Sequence, residues 1–149
     1  MKNDPFGNLN DWGTVLELVE ELAGNDQLEN CQAGLIRILR HKGNWQLREE
    51  VLKRVGDIQT PSSELVFQIL ATLADDNLYY DARILAGNAL IQLLKSIQDG
   101  FGVEINKEIR KVVEKLRCTP QPPFLDEALK RLHIEVDPHQ PKTVGDFSV

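Results

Sequence analysis

A dense run of basic side chains surrounds one point in the chain: Arg37, Arg40, His41, Lys42, Arg48, Lys53 and Arg54, with Trp45 among them. Arginines bind phosphate oxygens and an indole stacks on a base, so this is the composition of a phosphate or nucleic-acid contact. Glu49 and Glu50 interrupt the run, and its plainer reading is a pair of solvated helix faces with Trp45 in the core. The other reactive types are scattered. His41, His133 and His139 have no metal-ligand spacing, so no metal site is predicted. Cys31 and Cys118 form no CxxC, which reads as two ordinary thiols in a reducing compartment. Cys118 follows Arg117, a cation that could favour its thiolate, but no adjacent His or Asp would make it a nucleophile. Asp75, Asp76 and Asp81 make an acidic turn of the kind helix starts favour through capping and the macrodipole. No GxGxxG, Walker A loop, GxSxG or HExxH occurs, so neither a catalytic residue nor a cofactor is predicted.

Bulk properties narrow the classes further. The 149 residues fit one domain able to bury a core, and the formal charge of −6 argues against a general polyanion binder while leaving room for a local basic face. Acidic and basic blocks alternate along the chain. The start, Met1 to Pro5, is polar, and no apolar run approaches the ~20 residues that span a bilayer, which predicts a cytoplasmic protein without membrane segments.

The elements that must position these residues are helices throughout, because apolar residues recur at helical period and nowhere alternate over a useful length. The first helix spans about 11–23, with Trp12, Val15, Leu16, Val19, Leu22 and Ala23 on its buried stripe and Gly24 as a left-handed cap. A second opens at Asp26, with Glu29 completing an acidic capping box, and carries Leu28, Cys31, Leu35, Ile38 and Leu39. Asn44 caps a third, which ends near Gly56-Asp57. Thr60-Pro61 starts a fourth as cap and first-turn proline. A longer fifth helix runs through Ala82, Ala86, Leu90, Leu93 and Ile97 to Gly100. The sixth uses Ile105, Ile109, Val113 and Leu116, and the seventh follows the proline-rich turn 119–123 with Leu125, Leu129 and Leu132. Residues 137–149 lose periodicity, and Phe147 is their one large apolar group; a flexible tail is expected, or an extended strap.

The third and fifth helices superpose in sequence. Arg48 over Arg83 places Val51 over Ala86, Val55 over Leu90 and Ile58 over Leu93, while Leu35 and Leu39 precede Ile69 and Leu73 at nearly the same interval. Paired antiparallel helices at that period are the signature of an α-solenoid. The stretch from Leu73 to Leu94 resembles a HEAT repeat: Asp75 or Asp76 in the turn, Arg83 opening the second helix, then Ala86, Ala89, Leu90 and Leu93. The earlier copy keeps Arg48 but has His41-Lys42 where the turn aspartate belongs. The last pair keeps only the helical pattern. Small residues at Ala82, Ala86, Gly87 and Ala89 are expected to admit a close helix neighbour.

The resemblance implies an all-α, right-handed α-α superhelix of about seven helices in one domain, 1–136. Its successive pairs would be 26–58, 61–98 and 104–134, with 11–23 as a capping helix. It further implies a turn aspartate tied to Arg83, and a concave face made by the second helices of the pairs, exposing Arg48, Lys53, Tyr79, Arg83 and Asn88. Tyrosine and arginine commonly anchor interfaces, and adjacent Tyr79 and Tyr80 cannot both face one core. The candidate partner-binding residues are therefore Trp45, Arg48, Lys53, Tyr79, Tyr80, Arg83 and Asn88. The function implied is a non-catalytic protein-interaction or scaffold module. The alternative is nucleic-acid binding through Arg37, Arg40, Lys42, Arg48 and Arg54, a use that HEAT-like DNA glycosylases make of the scaffold. A homodimer through the terminal helices is a further possibility.

Overall fold

The computed structural model describes residues 4–96 and 102–136. All seven helices are present: α1 (Trp12–Gly24), α2 (Gln32–Arg40), α3 (Trp45–Arg54), α4 (Ser63–Ala74), α5 (Tyr80–Ser96), α6 (Val103–Arg117) and α7 (Pro123–Val136). Short 3₁₀ turns lead into α2 (Leu28–Cys31) and close α3 (Val55–Asp57), and no strand occurs among the described residues. Ile97, Gly100, His139, Phe147 and the tail 137–149 lie outside the described residues.

Short connections make α2 and α3, α4 and α5, and α6 and α7 packed neighbours. Helices also pack two places apart. α2, α4 and α6 follow one another in one row, and α1, α3, α5 and α7 in the other. One continuous apolar core runs between the rows, built from Leu35 and Ile38, Leu47 and Val51, Leu65 and Ile69, Leu90 and Leu93, Ile109, and Leu125 and Leu129. α5 touches α3, α4 and α7 together, which is why its sequence is apolar or small on most sides and buries Ala82, Ala86, Gly87 and Ala89.

Several helix ends depart from expectation. Gly24 belongs to α1, and the left-handed residue is Asp26 (φ 58°). The Asp26 and Gln27 amides donate to the Ala23 and Leu22 carbonyls at 3.2 and 2.8 Å, a Schellman closure that puts aspartate where glycine is usual. Asp26 therefore caps no helix start, and Glu29 is released to reach across 31 residues, where its carboxylate accepts from the Thr60 hydroxyl and from the Gln59 amide. That hydroxyl holds the Glu29 carboxyl below its usual value. Thr60 being so engaged, Ser62 caps α4 instead, its Oγ accepting from the Leu65 amide at 3.1 Å. Asn44 caps α3 as expected, accepting from Gln46 and Leu47. Trp12 is exposed, because α1 ends its row and, with α3 as its one helical neighbour in that row, buries only Val15 and Val19 fully.

The chain before α1 carries structure that periodicity does not reveal. Phe6 and Leu9 are buried, and the Arg37 guanidinium binds both Asp4 oxygens at 2.6 and 2.9 Å and the Gly7 carbonyl at 2.8 Å. The Phe6 ring fills the space above Gly34 of α2, where an added β-carbon would meet Phe6 Cδ2 at 2.5 Å.

Candidate functional site

α3, α5 and α7 lie side by side, and their outer faces enclose a groove of about 440 Å³. Along α5, Asp81, Ile84, Leu85 and Asn88 fall at i, i+3, i+4 and i+7 and so share one face. Ile84 and Leu85 are half-buried and form an apolar floor with Ala128. Glu49 and Lys53 of α3 border one side, and Phe124, Glu127 and Arg131 of α7 the other. Phe124 is 79% exposed, an aromatic ring held out beside a half-buried apolar strip.

At the N-terminal ends of α3 and α5 the Trp45 and Tyr79 rings meet edge to face, with centroids 6.3 Å apart. Trp45 is 53% exposed, so it is a surface residue and not core. The Tyr79 hydroxyl donates to Glu49 Oε2 at 2.7 Å, tying this aromatic pair to the groove's edge. Both adjacent tyrosines are exposed, and Tyr80 lies under the Arg83 guanidinium at 5.6 Å.

Two of the expected surface arginines are not on the surface. Arg48 is 6% and Arg83 4% exposed. Each turns back to the helix before it: Arg48 Nη1 donates to the His41 carbonyl at 3.0 Å and Arg83 Nε to the Leu73 carbonyl at 2.9 Å. The last carbonyls of a helix lack partners within it, and a guanidinium supplies donors there with favourable charge. The tie to the turn is made by Asp76, 3.5 Å from Arg83 Nη2 and 85% exposed. Lys53 and Asn88 do line the groove.

The basic residues do not make one continuous face. Arg37 is committed to Asp4, and Arg54 pairs with Glu50 at 2.8 Å beside a different hollow, with Asp26, Glu29 and Asp57. Arg40, Lys42 and Arg48 converge on a small hollow by the α2–α3 turn. Cys31 is buried, which pushes its thiol pKa up, whereas Cys118 is exposed at the end of α6. Among the described residues no group of three or more His, Cys, Asp or Glu is placed to hold a metal ion, and no helix is long and apolar enough to cross a membrane.

No protein-family model, curated protein or solved structure matches this chain. Phe124, Ile84 and Leu85 are the contributors that sequence reasoning misses: helical period does not separate an apolar residue that lines a groove from one in the core, and only the relative placement of α5 and α7 shows these three facing a groove.

Tyr79 gives a direct reporter of the site. Burial, then the hydrogen bond to Glu49 and that group's charge, push its pKa up to about 12. A phenol raised above its unfolded value near ~10 contributes stability that is complete below that pH and lost as pH rises through the folded value. In a near-ultraviolet absorbance titration one tyrosinate should appear near pH 12, vanish in Tyr79→Phe, and shift to lower pH in Glu49→Gln.

Proposed function

We propose that this chain is a non-catalytic helical-repeat module of HEAT-like type that binds a protein partner in the groove between α3, α5 and α7. The observation that carries the reading is the groove itself: an apolar floor bordered by charges of both signs, with exposed Phe124 on one side and the Trp45–Tyr79 pair near the other. Rigid aromatics beside a polar rim are the usual anatomy of a protein-binding surface. Support for the repeat reading comes from the two rows of helices and from Arg48 and Arg83, buried arginines that each donate to a backbone carbonyl at the C-terminal end of the preceding helix, Arg48 through Nη1 to His41 and Arg83 through Nε to Leu73. The right-handed superhelix is part of this proposal.

The test is affinity purification with quantitative comparison of three proteins: wild type, a Phe124→Asp/Lys53→Glu groove variant, and a Glu114→Lys control on α6. A partner retained by wild type and control and reduced about tenfold or more by the groove variant supports the reading, since one central aromatic commonly accounts for ~2 kcal/mol of binding. Equal recovery by all three removes it.

A further inference from the structure

A second hollow, of about 170 Å³, lies between the end of α2 and α4, close to the turns that follow them, and shares no lining residue with the groove. We propose that it binds a tetrahedral oxyanion, phosphate either free or carried on a phosphorylated side chain. Arg40, Lys42 and Arg48 line it against a single carboxylate, Asp75. Among the described residues none of the three cations is in an ion pair. Arg48 is more than nine-tenths buried; its Nη1 is spent on the His41 carbonyl and its guanidinium also neighbours the Tyr79 hydroxyl, but its Nε–H is buried without a hydrogen-bond partner.

A buried guanidinium donor left unpaired is destabilising, and a charged acceptor relieves that cost best. Arg40 is held at the rim of the hollow, where its Nε donates to Gln68 Oε1 at 2.7 Å, Gln68 being a lining residue itself. Asp75 is turned toward its own loop, where Oδ1 accepts from the Asn77 amide at 2.9 Å.

Size and charge select the ligand class. The hollow holds the liquid volume of about five or six waters, ample for a phosphate group and below the ~300 Å³ at which sites for whole cofactors begin. Three cations against one carboxylate exclude a metal cation and match a dianion better than a carboxylate.

The test is titration with sodium phosphate at constant ionic strength, chloride as the balancing salt, followed by amide chemical shifts and thermal unfolding. Saturable shifts at the α2–α3 turn and in α4 are expected, with affinity about tenfold lower in Arg40→Gln or Lys42→Gln and several-fold higher in Asp75→Asn, which removes the opposing charge. These three side chains reach solvent or the turn, so the variants should fold, and the thermal scan reports it. Acetyl-phosphoserine amide forms the second arm: tighter binding than inorganic phosphate assigns the site to a phosphorylated chain, equal binding to the free ion. No saturable shift, or shifts unaltered in both glutamine variants, overturns the proposal.

Discussion

Arg83→Ala is expected to lower unfolding free energy by about 3 kcal/mol, and the melting temperature by roughly 6–12 °C for a chain of this size. Three losses combine. The Leu73 carbonyl at the end of α4 loses its 2.9 Å donor, the buried aliphatic stem leaves a cavity between α4 and α5, and Tyr80 loses the cation over its ring. Arg83→Met, which keeps most of the volume, should recover about half of the loss. Asp76→Asn should change stability by no more than about 0.5 kcal/mol, because that carboxylate is exposed and 3.5 Å away. Chemical denaturation of the three variants separates the contributions. If Asp76→Asn proves as costly as Arg83→Ala, the turn is held by the ion pair and not by the carbonyl cap.

The second large effect separates two glycines that look alike in sequence, each inside a helix. A methyl at Gly87 would meet Ala128 Cβ at 3.4 Å and Leu73 Cδ1 at 3.8 Å, ordinary contact distances. Gly87→Ala should therefore gain helix propensity and stabilise the protein by about 0.5–1 kcal/mol. The neighbouring helix does come close here, as the small residues of α5 suggest, yet it leaves room for one carbon. At Gly34 the same methyl would overlap the Phe6 ring and approach Asp4 Oδ1 to 2.9 Å. Gly34→Ala should destabilise by about 1–2 kcal/mol despite its better propensity, and Phe6→Ala by about 2–3 kcal/mol. Because the first change displaces the ring that the second removes, the double variant should fall short of the summed losses by about 1 kcal/mol in denaturant titrations. Strict additivity would mean that Phe6 does not occupy that space.

These residues also mark where the sequence could be read and where it could not. Helical period located every helix, since apolar residues recur at helical spacing in each, including α5 with its wider buried surface, and Asn44 was legible as a cap because its role is local. Spacing alone picked out Arg48 and Arg83 as equivalent, but the concave face implied by the repeat resemblance put them outside. The competing demand came from carbonyls of the preceding helix, an interaction between elements that no single-helix pattern encodes. Glu29 failed for a related reason: the capping box is a local motif, and a partner 31 residues away took the carboxylate. Phe6 and Leu9 lie in chain without period, so nothing distinguished buried residues from loop. The groove followed from which helices stand in one row, and its border of Lys53 and Asn88 was foreseen while its aromatic wall on α7 was not.

The long-range side-chain bonds share a property with mechanical consequences. Glu29 to Thr60, Gln32 to Ser62, Arg40 to Gln68, Glu49 to Tyr79 and Asp57 to Gln92 each join residues 28–35 positions apart. Each therefore bonds a helix, or the turn at its end, to the counterpart two places further on, and together they fasten α2 and α3 to α4 and α5 at both edges. Local opening of α2 must break several of these at once, so fraying that begins at the N-terminal side is expected to meet a cooperative block at this boundary, with the amides of α2 through α5 exchanging at closely similar rates in hydrogen-exchange measurements.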